Sequence, residues 1–175
     1  MKGSTIMKKL VFLLFAVLLA CNSAHANTIS ANDIEKFIKT YRQLSVHFND
    51  HEEDDDDDDS DDIVLDVSTL KARFLESIRG KKALQAIIAK NGYPSVDRFA
   101  EQGAYILRAY MVCTGREGIR EFEQQLSSMS ATDRQKLLNS PTGKQIAQFK
   151  RQFATVPQAH IKAIEPYLAK LNAIF

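Results

Sequence analysis

The chain has 175 residues, 45% of them hydrophobic and 26% charged, with 23 Lys and Arg against 22 Asp and Glu and no Trp. That length allows one domain with a substantial core and is short for two. Basic residues spread along the chain without interleaved aromatics argue against a nucleic-acid-binding protein, and two cysteines are too few for a disulfide scaffold.

Lys2, Lys8 and Lys9 precede the apolar run LVFLLFAVLLA, and Ala24-His25-Ala26 follows it. Positive, then apolar, then small is the order of a secretory signal peptide. The run falls short of the roughly 20 apolar residues that a membrane-spanning helix requires. Residues 1–26 are therefore expected to be removed, leaving residues 27–175 as a periplasmic chain with no transmembrane span. Met7 would open an equally sufficient leader. Leu18-Leu19-Ala20-Cys21 is similar to the lipobox of bacterial lipoproteins, so the alternative is a lipid anchor on Cys21. Beyond residue 26 Cys113 is the only cysteine, and no intramolecular disulfide forms.

The leader holds three of the 23 basic residues and none of the acidic ones, so residues 27–175 carry 20 basic against 22 acidic. Ten of those acidic residues fall in the eleven positions 52–62, which leaves 20 basic against 12 acidic elsewhere. The charge pattern is that of a basic body with an acidic insertion.

Ile34, Phe37, Ile38, Tyr41, Leu44 and Phe48 recur at helical spacing, and Ser30 with Asp33 makes a capping-box start. Residues 49–62 then interrupt the periodicity, because like charges repel along the chain and share no buried face; they are read as an acidic, disordered insertion. A second helix follows a cap at Asp66 or Ser68, with Leu70, Phe74, Leu75 and Ile78 on one face and Gly80 as its stop. A short third one carries Leu84, Ile87 and Ile88 and ends at Asn91-Gly92 before Pro94.

Ser95 caps the fourth helix, in which Val96, Phe99, Gly103, Ile106, Tyr110 and Cys113 step by three and four along one face. Its place on that apolar stripe implies a neighbour packed closely on Gly103, and a buried thiol at Cys113. Gly115 and Gly118 are expected to separate this helix from a segment around Ile119, Phe122 and Leu126. Ser130 with Asp133, and Ser140 with Pro141, open two more helices, the second with Ile146, Phe149 and Phe153 as its apolar face. The last begins at Val156-Pro157, carries Ile161, Ile164, Leu168 and Leu171, and should break at Pro166. No strand or repeat signal intervenes. The expected fold is all-α, a single compact bundle of about six or seven short helices over residues 27–175.

Chemistry-bearing patterns are few. His47 and His51 are four apart, one side of a continuing helix, with Asp50, Glu52 and Asp54 as oxygen donors; imidazole with carboxylate suits zinc, nickel or copper. The competing reading is a solvated acidic loop. A helix-loop-helix calcium site fails on register, because Asp61 falls where the turn glycine belongs and Val67 where the closing glutamate belongs. Gly143-Lys144 is no phosphate loop, since Leu138 and Gln145 occupy the positions of its first glycine and its hydroxyl residue. There is no Gly-x-Ser-x-Gly elbow. His160 reads as a partly exposed structural histidine, and no catalytic motif or cofactor site is found beyond that candidate divalent-metal site.

The segments GYPSVDRFAEQGAYILRAYM and MSATDRQKLLNSPTGKQI resemble parts of small helical proteins exported by Gram-negative bacteria. The second is similar to the Ser-Pro-x-Gly-Lys stretch of a secreted domain of unknown function. The likeness covers about a third of residues 27–175 and implies a helical envelope protein, with no catalytic residue to carry over. The expectation is a non-catalytic periplasmic protein that binds or chaperones an envelope protein or lipid component. The alternative is divalent-metal buffering or delivery through the His/Asp-rich stretch.

Overall fold

The computed structural model describes residues 28–47 and 66–175, and among these the fold is all-helical. The leader, residues 1–26, and the insertion, residues 49–62, lie outside the described residues. Helix α1 (Ala31–Ser45) begins at the capping box read from the sequence: the Asp33 N–H donates to Ser30 Oγ at 3.2 Å and the Ser30 N–H to Asp33 Oδ2 at 3.1 Å. Two of the four orphan donors of a helix start are thereby satisfied. Its face of Ile34, Phe37, Ile38 and Leu44 is buried.

Asp66 caps α2 (Val67–Ile78) by accepting from the N–H groups of Ser68 and Thr69. Gly80, at φ +74°, ends that run, and Gly92, at φ +82°, follows α3 (Lys82–Lys90). These left-handed positions are where glycine is favoured over every residue with a Cβ. Asn91 ties α3 to α1, donating from Nδ2 to Gln43 Oε1 at 3.0 Å.

Helix α4 runs unbroken from Val96 to Ser128, 33 residues, or about 50 Å at 1.5 Å per residue. The expected separation at Gly115 and Gly118 does not occur, and the elements are not all short. Each glycine costs about 1 kcal/mol against alanine in a helix, but neither sits at positive φ and no proline follows. Backbone hydrogen bonding therefore continues through them. The exposed Glu117–Arg120 pair, one turn apart, adds a little more.

Ser130 and Ser140 cap α5 (Ala131–Asn139) and α6 (Pro141–Ala154), each accepting from the N–H three residues on. Pro166 interrupts the last stripe as expected: α7 (Gln158–Ile164) gives way to a 3-10 turn (Glu165–Tyr167) and the single turn α8 (Leu168–Leu171). Ile161, Ile164 and Leu171 are buried, and Lys170 pairs with Glu35 of α1 at 2.6 Å. The final stripe thus serves the core. His160, read as partly exposed, is only 4% exposed, because α7 lays it edge-on against Tyr105 of α4 with 5.5 Å between rings.

The core is aromatic at its centre. Phe37 stacks on Phe99 at 5.5 Å and meets Phe74 edge-on at 6.1 Å, while Tyr93 stands edge-on to Phe99 at 5.2 Å. Such pairs contribute about 0.5–1.5 kcal/mol each beyond their area. Gly103 makes the arrangement possible: a Cβ there would lie 2.8 Å from Phe37 Cε2 and 3.1 Å from Phe74 Cε2. The close neighbour implied by the sequence is present, and it is two rings. Gly103→Ala should therefore destabilise by roughly 1–3 kcal/mol through overpacking, despite its helix-propensity gain. Gly118→Ala, whose Cβ would meet nothing within 4 Å, should stabilise by roughly 0.5–1 kcal/mol. Urea unfolding of the two variants checks the contrast.

Candidate functional site

The first half of α4 is core and the second half is not. Beyond Val112 no residue of α4 is buried; α5 has no buried residue, and α6 has only Gly143. The second half of α4, α5 and α6 therefore form an arm whose apolar residues lack the cover the bundle gives its own. The turn between α4 and α5 is held by Arg134, which donates from Nε to the Leu126 carbonyl at 2.9 Å. Gly143 lets α6 start against the end of α5, since a Cβ there would collide with the Leu137 and Leu138 carbonyls. A Glu123–Lys150 ion pair joins α4 to α6.

Between α4 and α6 lies an open apolar groove of about 370 Å³, walled by Met111, Gly115 and Ile119 on one side and Ile146, Phe149 and Phe153 on the other. Phe149 and Phe153 stack at 6.1 Å with 19° between their planes. Gly115 admits the Phe153 ring: a Cβ on it would lie 2.7 Å from Phe153 Cζ. Gly118 instead faces open space and leaves the groove unfilled along its floor. The two glycines read as breakers are the residues that shape this groove. The sequence signal was present in the α6 face of Ile146, Phe149 and Phe153, which has no buried member. What it could not show is which helix stands opposite.

No lining residue is titratable. The one hydroxyl, Thr114 Oγ1, donates to the carbonyls of Tyr110 and Met111 at 3.1 and 3.3 Å. The groove can hold apolar matter. Cys113, expected to be buried, is half-buried, packed against the core from the edge of its stripe. Burial pushes its thiol above the ordinary range, as does Glu165, while Arg116 draws it down. A raised thiol carries less thiolate at neutral pH and is a poor nucleophile.

Of the candidate metal ligands, only His47 is among the described residues; it is exposed, in the turn after α1. His51, Asp50, Glu52 and Asp54 lie outside them. Among the described residues no group of three or more His, Cys, Asp or Glu is placed to hold a metal ion. Gly143-Lys144 lies in the first turn of α6, where the Gly143 N–H donates to Ser140 Oγ at 3.1 Å; it serves the helix start. Among the described residues no helix is long and apolar enough to cross a membrane.

No family model, curated protein or solved structure matches this chain. The likeness to exported helical proteins rests on the two quoted segments alone.

Because the Cys113 thiol is raised, its alkylation should be slow below its pKa and accelerate only as pH climbs through it. With iodoacetamide at pH 8, the native protein should react at least several-fold more slowly than the urea-unfolded chain, and the gap should narrow with rising pH. Mass spectrometry of quenched time points measures both rates.

Proposed function

We propose that this chain is an exported, non-catalytic binding protein that holds an apolar portion of an envelope protein or lipid in the groove between α4 and α6. The observation that carries the reading is the groove itself: an open apolar cleft with no titratable lining, built on the arm rather than in the core. Its size falls in the range of ligand pockets, roughly 300–1,000 Å³. Apolar surface left uncovered in this way costs free energy in water, and an occupant that covers it recovers about 25 cal/mol per Å² of that surface. The leader-like first residues support an occupant in the envelope.

Shape would select the apolar part of such an occupant. Gly118 provides the room, so filling it removes the site without touching the core. A neutral apolar dye such as Nile red should bind the wild-type protein with a blue-shifted, saturable emission. Gly118→Leu should weaken that binding at least tenfold with helicity and unfolding midpoint retained. Equal binding by the two proteins would rule the groove out.

A second reading is divalent-metal buffering or delivery through His47, His51, Asp50, Glu52 and Asp54. It is supported by the exposure of His47 at the end of α1, directly before the acidic run. Calorimetric titration with zinc, nickel, copper and calcium separates the two: micromolar binding abolished in the His47→Ala, His51→Ala double variant supports metal handling. Weak, salt-sensitive association indifferent to both histidines removes it.

A further inference from the structure

One turn beyond the apolar groove stands a cation. Arg108 lies one turn before Met111 on α4, and its Nη2 donates to Thr155 Oγ1, two residues beyond Phe153 of α6. The guanidinium thus ties α4 to the residue that caps the end of α6. Thr155 is a neutral partner whose own hydroxyl donates to the Gln152 carbonyl at 2.7 Å. Arg108 Nε is buried without a hydrogen-bond partner, and among the described residues Arg108 has no ion pair within 4.0 Å. The carboxylate of Asp66 feels its field from a greater distance while serving as the cap of α2. Arginine stays charged at any physiological pH and presents five donors, of which a carboxylate takes two side by side.

Resting on the groove as the binding site, we infer that its occupant is a fatty acid, its aliphatic chain along Met111, Ile119, Ile146, Phe149 and Phe153 and its carboxylate on Arg108. Three features support this over a neutral occupant or a helical peptide. The lining is apolar, so the chain needs no polar group along its length. The α4 wall from Met111 to Ile119 is about 12 Å long at 1.5 Å per residue, a span for one extended chain. Arg108, one turn before Met111 and without a carboxylate partner within 4.0 Å among the described residues, stands where one headgroup beyond the groove would sit, and it is positive. The Glu123–Lys150 pair on the edge is already matched.

The test uses the full mature chain with dodecanoate, 1-dodecanol and Nile red, the amphiphiles kept below their aggregation limits and read by dye displacement and calorimetry. Dodecanoate should displace the dye at least tenfold more tightly than dodecanol. Arg108→Met keeps the aliphatic stem and removes the charge. It should abolish that preference while leaving dodecanol and Nile red binding within about twofold of wild type. Equal affinity for acid and alcohol in the wild-type protein, or a preference that survives in Arg108→Met, overturns the fatty-acid assignment while the groove stands. Failure of all three probes removes the groove reading as well. Binding of a leucine-rich amphipathic peptide but of neither amphiphile makes the groove a protein-docking surface and overturns the assignment.

Discussion

The absence of a side chain at Gly103 is the constraint on which the rest of the molecule depends. It lets the Phe37 ring of α1 and the Phe74 ring of α2 close on the backbone of α4, where Phe99 and Tyr93 complete an aromatic centre. Interiors pack at near-crystalline density, so a single methyl group in that contact has to displace a ring. Lacking any disulfide among the described residues, α1 and α2 depend on this packing for their hold on α4.

That anchoring turns α4 into a spine with two unequal halves. Its first half is buried from Phe99 to Val112 by α1, α2, α3 and α7; its second half projects beyond them. A projecting helix needs partners, and α5 and α6 supply them through caps, one ion pair and the Phe153 ring seated on Gly115. Cover is incomplete because Gly118 contributes no side chain and α6 stops at Ala154. The cleft that remains is lined by apolar residues and one threonine. The buried core therefore lies in one half of the protein and the apolar groove in the other.

Much of the architecture was legible because its signals are local. Ser30, Ser95, Ser130 and Ser140 cap helices by bonding to an N–H three residues away, and Gly80, Gly92 and Pro166 stop or break them through their own backbone geometry. A window of a few residues contains both partners of each such interaction. Gly115 and Gly118 were misread for the converse reason. A glycine stops a helix at positive φ and is tolerated within one at negative φ, and which it adopts depends on what the helix packs against. His160 and Cys113 depart from expectation for the same cause: their exposure is set by the placement of α7 and by the edge of a stripe.

The sequence by itself determined the helical class, most element boundaries, the apolar face of each helix and the contrast between a basic body and an acidic segment. These follow from periodicity, caps and charge, all of which act over a turn or two. Only the tertiary structure decided that α4 is continuous, that its second half faces α6 across a cleft, and that Arg108 meets Thr155 where α6 ends. Those facts depend on pairs of residues 30 to 50 positions apart, such as Gly115 with Phe153 and Arg108 with Thr155. No local propensity encodes such pairs; they form only when competing ways of burying the same apolar stripes are resolved together.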